Sequence, residues 1–167
     1  MSTMRYGGAV TDGVRWLNDD EFRAWLGYRR MRRVLDLAIN RDMALDSGLS
    51  EPDYDVLSNL SSTQGRRLRM TDLGAELLWS KSRLSHHITR MEQRGLVRRE
   101  GVDGDGRGAI VALTDAGLRA IEAAAPQHVE SVRRHFIDVL TDDEIRTLGD
   151  LTDKVLARLG EQDATGT

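Results

Sequence analysis

A chain of 167 residues with 40% hydrophobic residues and two prolines is long enough to enclose a core, and this composition excludes a largely disordered protein. Cysteine is absent, which excludes disulfides and cysteine-ligated zinc, and no run approaches the roughly 20 apolar residues that span a bilayer. The net charge of −3 is unevenly spread: residues 65–114 hold 10 Lys and Arg against 6 acids (+4), whereas residues 1–64 hold 8 against 10 (−2) and residues 115–167 hold 6 against 11 (−5).

The beginning of the chain predicts a flexible arm and then a long helix. Residues 1–15 are glycine-rich, without hydrophobic periodicity, and they contain no apolar run typical of a signal peptide, so we expect a cytoplasmic protein. Asn18 is placed to cap a helix whose first turn is acidic, and an apolar stripe continues to about Leu45. A stripe of this length must be buried against the protein's own core or against a partner chain.

A second helix is predicted after Ser50, which can cap it, with Pro52 tolerated in its first turn. Residues 61–65 form the loop that follows. Three arginines then lead into a further helix that Thr71 can cap.

The segment from Thr71 to Val97 predicts two short helices joined by Trp79-Ser80-Lys81. Apolar residues share one face in each helix, Leu73 and Leu77 in the first and Leu84, Ile88 and Met91 in the second. Gly95 then suits a left-handed helix cap. Two such helices, the second crowded with Ser, Arg, His and Thr, are typical of a helix-turn-helix, and the local charge of +4 favours DNA as the partner.

The residues after Gly95 predict a β-hairpin. Two short extended runs, residues 96–100 and 109–113, flank a segment with four glycines in eight residues. A hairpin in this position is the wing of a winged helix.

Two helices complete the predicted fold. The first begins at Thr114 and Asp115, with a kink or brief break expected near Ala125 because a proline follows it. Thr141 and Glu144 form a capping box for the second, whose apolar face reaches Gly160.

The central motif resembles a known family of transcription factors. It follows the pattern Leu-small-x-x-Leu, Ser-x-Ser and Arg-[Leu/Met]-Glu-x-x-Gly-Leu-[Val/Ile], carried here by Leu73, Gly74, Leu77, Ser80, Ser82, Leu84, Ile88, Arg90, Met91, Glu92, Gly95, Leu96 and Val97. In these residues the chain resembles the MarR family (multiple antibiotic resistance regulator) over roughly residues 15–160. The wing departs from the family's usual Asp-Arg-Arg, reading Asp105-Gly106-Arg107 before Leu113-Thr114-Asp115-Ala116-Gly117.

The resemblance implies a mainly α fold with a small β-hairpin wing. The winged helix-turn-helix would occupy residues 50–114, between dimerisation helices at 16–48 and 115–160, with a flexible tail at 161–167. It also implies a homodimer on a pseudo-palindromic operator in double-stranded DNA, and a small organic acid or phenolic ligand that lowers DNA affinity.

Helical geometry predicts which side chains would face DNA. With the apolar face inward, steps of about 100° per residue place Ser82, His86, Thr89 and Gln93 outward. We predict base contacts by Ser82, Arg83, His86 and Arg90, and phosphate contacts by Ser80, Lys81, Ser85 and Thr89.

Arg107 is the single wing arginine for the minor groove. Only one of the alternating pair Arg98 and Arg99 can face DNA; Arg98 is included in the predicted set, although the sequence leaves the choice open. Arg66 and Arg94 are read as ordinary surface ion pairs.

Histidines and aromatic residues suggest further roles. Adjacent His86 and His87 have no third ligand nearby, so we predict no metal and assign the pair a surface or interface role. Trp25, Tyr28 and Trp79 are candidates for lining a ligand cavity, although packing explains each of them singly.

The predicted function is a dimeric, sequence-specific DNA-binding regulator, acting as a repressor, with a cytoplasmic, nucleoid-associated location. A winged-helix protein without a small-molecule effector is the alternative. An enzyme is not predicted, because we find no phosphate loop, nucleophile elbow or metal set, and no cofactor is expected.

Overall fold

The computed structural model describes residues 13–102 and 105–165, apart from the side chains of residues 102–108 and 161–165. The helices are α1 (Asp19–Ser47), α2 (Glu51–Ser62), α3 (Met70–Glu76), α4 (Lys81–Gln93), α5 (Asp115–His135) and α6 (Asp142–Thr165), and the strands are β1 (Arg67–Arg69), β2 (Val97–Val102) and β3 (Asp105–Leu113). Single 3₁₀ turns occur at Gln64–Arg66 and Ile137–Val139. The chain divides into two units, Met1–Val34 and Leu35–Thr167. The predicted fold class, mainly α with a small β element, is confirmed, while most of the predicted N-terminal arm lies outside the described residues.

The first two helices begin with reciprocal caps. Asn18 Oδ1 accepts the Glu21 N–H at 2.9 Å, and the Glu21 carboxylate accepts the Asn18 N–H at 2.9 Å. Ser50 and Asp53 form the same arrangement at the start of α2. Each box satisfies backbone donors that a helix leaves unpaired at its N-terminus, so both predicted caps are confirmed.

The predicted hairpin belongs to a three-stranded antiparallel sheet. Strand β3 pairs with β2 on one side and with β1 on the other, in the order β1-β3-β2. The sequence predicted no strand at Arg67–Arg69, because three residues are too few to show alternation. The predicted Thr71 cap was wrong as well. Helix α3 begins at Met70, with Arg69 in the cap position and no side-chain cap hydrogen bond.

The core of Leu35–Thr167 lies where α2, α3, α4, the sheet and α5 meet. Its largest fully buried side chains are Val56, Leu57, Leu60, Leu73, Leu84, Ile88, Met91, Val97 and Val111. Burying one such side chain stabilises the fold by about 1.5–3 kcal/mol. The predicted inward faces of α3 and α4 are therefore confirmed at Leu73 and at Leu84, Ile88 and Met91.

Helix α5 is joined to the end of α4 by a close backbone approach. A Cβ atom on Gly117 would lie 2.0 Å from the Leu96 carbonyl oxygen, so this position requires glycine. Thr114 Oγ1 lies 2.7 Å from the Gly95 carbonyl oxygen and accepts the Gly117 N–H at 3.0 Å, capping α5. These contacts fix where the wing ends and α5 begins.

A buried carboxylate joins the last turns of α1 to α5. Asp42 accepts hydrogen bonds from Ser131 Oγ at 2.9 Å and from Arg134 at 2.7 Å, and it lies 2.7 Å from His135 Nε2. The hydrogen bond with His135, followed by those from Ser131 and Arg134, holds the pKa of Asp42 far below its usual range. A buried charge of this kind is tolerated because it is paired on several sides.

Helix α5 lacks a break at its proline, which was one of the two predicted alternatives, and helix α6 ends later than predicted. Helix α5 continues through Pro126 without a break in its helical structure. Helix α6 begins after Thr141, whose hydroxyl and Glu144 form the predicted capping box, and it extends past Gly160 to Thr165. Within the described ranges, no helix has the length and apolar character required to cross a bilayer.

Candidate nucleic-acid interface

The turn between α3 and α4 has a strained residue at its centre. Leu78 adopts φ +52° and its side chain is 92% exposed. The Leu78 N–H donates to the Ala75 carbonyl oxygen at 3.1 Å and the Trp79 N–H to Gly74 at 2.9 Å, the pattern of a Schellman cap. A leucine thus occupies a left-handed position where glycine is usual, with little packing to compensate.

Helix α4 has one buried and one exposed face. Ser80 caps it, its Oγ accepting the Arg83 N–H at 3.3 Å. The predicted outward residues are exposed, namely Ser82, His86, Thr89 and Gln93, together with Lys81, Arg83, Ser85 and Arg90. The helix ends in a second Schellman cap around Gly95 (φ +73°), which confirms the predicted cap. Its hydroxyl and basic side chains therefore form one continuous surface.

The two arginines of α4 that were predicted to contact bases are each held by an aromatic ring. The Arg83 guanidinium lies 4.2 Å from the ring centroid of Trp79. An Arg90 nitrogen lies 3.0 Å from His87 Nδ1. The Trp79 and His87 rings meet edge to face at 5.3 Å, so one pair of rings supports both guanidinium groups.

His87 is buried, with 6% of its surface exposed, so a surface role for both adjacent histidines was wrong. Its Nε2 lies 3.1 Å from an Asp53 oxygen, and the other Asp53 oxygen accepts from Arg94 at 2.7 Å. Burial, followed by the nearby Arg90, lowers the pKa of His87, with the Asp53 carboxylate opposing them. Arg94 was predicted to form an ordinary surface ion pair, but its partner is the buried carboxylate of Asp53. Burial alone would raise the pKa of Asp53, but hydrogen bonds from the Ser50 backbone and from Arg94 lower it.

Arg98 and Arg99 point in different directions from β2. Arg99 donates to the Ser85 carbonyl oxygen at 2.8 Å, to Thr89 Oγ1 at 2.9 Å and to Glu92 at 3.2 Å, which ties β2 to α4. Arg98 and Arg67 instead bind Glu100, and these two hydrogen bonds lower the pKa of Glu100.

The role of Arg99 was missed although the sequence holds a signal for it. Buried Val97 lies two residues before it in the strand, and residues two apart share a face. This alternation directs Arg99 toward the helix side of the sheet.

The remaining predicted site residues are dispersed. Trp25 and Tyr28 belong to the unit Met1–Val34, where their half-exposed rings stack at 6.1 Å. Trp79 belongs to the unit Leu35–Thr167. Arg107 lies on β3, but its side chain falls outside the described residues. Among the described residues, no three His, Asp or Glu side chains form a group able to hold a metal ion.

A cavity of about 620 Å³ lies beside the N-terminal half of α4. Its lining comes from α3, the turn, α4 and the sheet, and it combines the apolar Ala75, Trp79 and Leu84 with the basic Arg69, Lys81 and Arg99. The lining therefore offers both apolar contact and positive charge.

Comparison with known proteins identifies the family. The sequence model described as the MarR family matches residues 47–108. The transcriptional regulator HosA of Escherichia coli is 32% identical over 108 residues, which cover 65% of this chain and 78% of HosA. The matched stretch spans between 63% and 78% of the length of the curated relatives.

Solved structures from Streptomyces coelicolor extend the comparison to nearly the whole chain. AbsC, a MarR family transcriptional regulator, is 42% identical with a TM-score of 0.83, over 89% of this chain and 99% of AbsC. Sco3205, a MarR family regulator solved in complex with DNA, is 36% identical with a TM-score of 0.81, over 86% of this chain and 90% of its own. The relatives are regulators rather than enzymes. With its winged helix-turn-helix, the chain belongs to the MarR family and is a DNA-binding transcriptional regulator.

Proposed function

We propose that the protein is a homodimeric repressor that binds a pseudo-palindromic operator through two copies of α4 and is released by a small organic ligand. The observation that carries this proposal is the division of α4, whose apolar residues are buried while its hydroxyl and basic residues are exposed. An exposed helix of this composition fits the major groove, where donors and acceptors distinguish all four base pairs. Such a regulator would work in the cytoplasm, on the nucleoid.

The proposed contacts follow from position on α4 and the wing. Side chains near the start and along the outer face reach base edges, and those at the flanks reach phosphates. We assign base contacts to Ser82, Arg83, His86 and Arg90, phosphate contacts to Ser80, Lys81, Ser85, Thr89 and Arg98, and a minor-groove contact to Arg107. The positive charge of Arg98 is partly offset by its ion pair with Glu100. Arg99 supports α4 rather than contacting DNA.

Exposed apolar residues on α6 support the homodimer. Leu151, Val155 and Leu159 recur at helical spacing, and each is more than half exposed in the single chain. A 24-residue helix with an exposed apolar stripe gains its stability by packing against a partner. Two-fold pairing of such helices places two recognition helices on one side of the DNA.

The cavity beside α4 supports release by a ligand. Trp79, Ala75 and Leu84 are apolar lining residues, and Arg69, Lys81 and Arg99 offer charges for a carboxylate or phenolate. A ligand here would compete with DNA for Lys81 and would press on Ser85, both of which are proposed phosphate contacts. Trp25 and Tyr28 stay candidates for a separate ligand contact.

Selection of bound sequences from random duplex DNA by the purified full-length protein tests the operator. We expect a palindrome whose half-sites lie about one helical turn apart, roughly 34 Å centre to centre. A selected site with a single asymmetric half, bound by one protomer, would contradict the proposal.

A thermal-shift screen of benzoates and phenols, followed by fluorescence anisotropy on the selected operator, tests the ligand. We expect compounds that raise Tm and release DNA over the same concentration range. Arg69→Gln removes a cation from the cavity and should weaken both effects. Arg66→Gln, at an exposed arginine outside the cavity lining, is the matched control. Stabilising compounds that leave DNA affinity unchanged would favour the alternative of a regulator without an effector.

A further inference from the structure

His87 occupies an unusual place for a histidine on a DNA-reading helix. Its side chain is buried on the inward face of α4, whereas the preceding residue, His86, is exposed. The ring contacts the side chain of Arg90, which is also exposed. None of the proposed DNA contacts uses it directly. Any effect of His87 on DNA binding would therefore be indirect, through the residues that its ring contacts.

The contacts of His87 determine its protonation state. A guanidinium group can only donate, so the 3.0 Å contact from Arg90 requires Nδ1 to be the unprotonated acceptor. The proton of the neutral ring then resides on Nε2, which faces the Asp53 carboxylate at 3.1 Å. That N–H lies beside the carboxylate without the alignment of a hydrogen bond, so the contact is an attraction between the N–H dipole and the Asp53 charge. The bond to Arg90 is thus available only while Nδ1 carries no proton.

Holding Arg90 has an energetic consequence for binding. A free arginine side chain samples many rotamers and loses about 0.5–1.5 kcal/mol of freedom when it is fixed in an interface, a two- to tenfold effect on affinity. The hydrogen bond to His87 removes part of that freedom before DNA arrives. Bidentate contact with guanine also depends on the orientation of the guanidinium plane.

We propose that neutral His87 is a positioning residue that orients Arg90 for DNA, and that protonation of its ring releases Arg90 and weakens operator binding. This inference rests on the contact between Arg90 and DNA assigned under Proposed function.

Charged groups around the ring support a neutral state near pH 7. Asp53 on α2 faces the ring with one carboxylate oxygen, and Arg94 binds the other oxygen of that carboxylate. Arg83 and Arg90, both on α4, disfavour a second positive charge. The α1–α2 connection contributes Gly48, Leu49 and Ser50 to the adjoining pocket, all uncharged. Burial and these two arginines lower the pKa of His87, so its protonation begins only as the pH falls below the ordinary histidine range near 6.5.

A double-mutant cycle on a fluorescein-labelled duplex carrying the selected operator tests the inference at pH 7.5. His87→Leu should weaken binding roughly two- to tenfold when Arg90 is present, and should change it little in the Arg90→Ala background. His87→Asn, whose amide oxygen can replace the Nδ1 acceptor, should recover most of the loss. Equal losses from His87→Leu in both backgrounds would show that the residue acts through the fold alone and would overturn the inference.

A second measurement covers the case in which His87→Leu fails to melt cooperatively. Between pH 8 and pH 5.5, operator affinity of the wild-type protein should fall more steeply than that of Arg90→Ala, because only the wild type has a bond for protonation to break. Parallel pH profiles across the range in which the His87 ring is seen to titrate by NMR would overturn the inference. If Arg90→Ala binds like wild type while Arg83→Ala is weakened, the inference fails with the Arg90 contact, but operator reading by α4 stands.

Discussion

Helices α4 and α6 carry similar apolar patterns, but in the single chain the apolar face of α4 is buried and that of α6 is exposed. On α4, Leu84 and Ile88 are almost completely buried, whereas Leu151 and Val155 on α6 are 56% and 59% exposed. Hydrophobic periodicity therefore locates a face but does not say what covers it. On α4 the cover is the chain's own core, and on α6 we propose a second copy of the chain.

The largest expected effect comes from disrupting the α6 face. Replacing Leu151 and Val155 together with glutamate places charge in the proposed dimer contact. We expect monomers in sedimentation velocity and a loss of operator affinity of about 100-fold or more, because two linked half-site contacts become one. A dimer that persists with unchanged affinity would place the partner surface elsewhere.

Truncating one residue on each helix separates the two kinds of burial. Ile88→Ala should lower the free energy of unfolding by about 2–5 kcal/mol at every protein concentration, since it opens a cavity in the core. Val155→Ala should have an effect that is full in concentrated solution and disappears as the protein is diluted below its dimer dissociation constant, because its burial depends on association. Urea denaturation at two protein concentrations distinguishes them, and identical concentration dependence would contradict the comparison.

A methyl group tests the close contact that anchors α4 to α5. Gly117→Ala should destabilise the protein by about 1–3 kcal/mol, because its Cβ would overlap the Leu96 carbonyl group. Gly149→Ala on α6, where nothing lies within 4 Å of the added atom, should be neutral or stabilising by up to about 1 kcal/mol. Thermal denaturation of the two variants measures the difference, and a well-tolerated Gly117→Ala would show that the α4–α5 junction can move.

Relieving strain just before α4 should have a smaller, favourable effect. Leu78→Gly replaces a left-handed leucine with the residue that adopts this conformation freely, and exposure of the side chain means that little packing is lost. We expect a gain of about 1 kcal/mol in unfolding free energy. A loss measured by urea denaturation would show that the conformational freedom of glycine, or lost side-chain contacts, outweighs the relieved strain.

The smallest expected change is the dependence of stability on pH. The pKa of His87 is lower in the folded protein than in the unfolded chain, so the unfolded state binds more protons as pH falls. This contribution to stability is complete above about pH 6.5 and declines below it. His87→Asn should flatten the curve between pH 7.5 and pH 5.5, with a remaining decline from His128, whose pKa is also lowered by burial. An unchanged curve would assign the titration to another residue.

Much of the framework could be predicted from sequence because local rules determine it. The caps at Asn18, Ser50 and Thr141 follow from side chains that pair with neighbouring backbone groups. The inward face of α4 follows from its period. Strand β1 could not be predicted, since Arg67–Arg69 becomes a strand only by pairing with distant β3.

The polar interior of the site was harder to predict because it depends on contacts between distant residues. The period of α4 places His87 on the inward face with Leu84 and Met91, but its partners are not local: Asp53 lies on a different helix and Trp79 meets its ring edge to face. Neither fact is visible in the spacing of α4. The partner of Arg94 could not be predicted for the same reason, because Asp53 lies 41 positions away in the chain.

Arg99 has a mechanical consequence for how the protein meets DNA. Its hydrogen bonds to Ser85, Thr89 and Glu92 link β2 to α4 and oppose bending between them. A wing strand and a helix braced in this way move together, so the distance between the two contacts that we propose for them on a duplex is preset. Operators whose groove spacing departs from that distance would have to bend to fit, and the stiffness of the DNA itself becomes part of what is recognised.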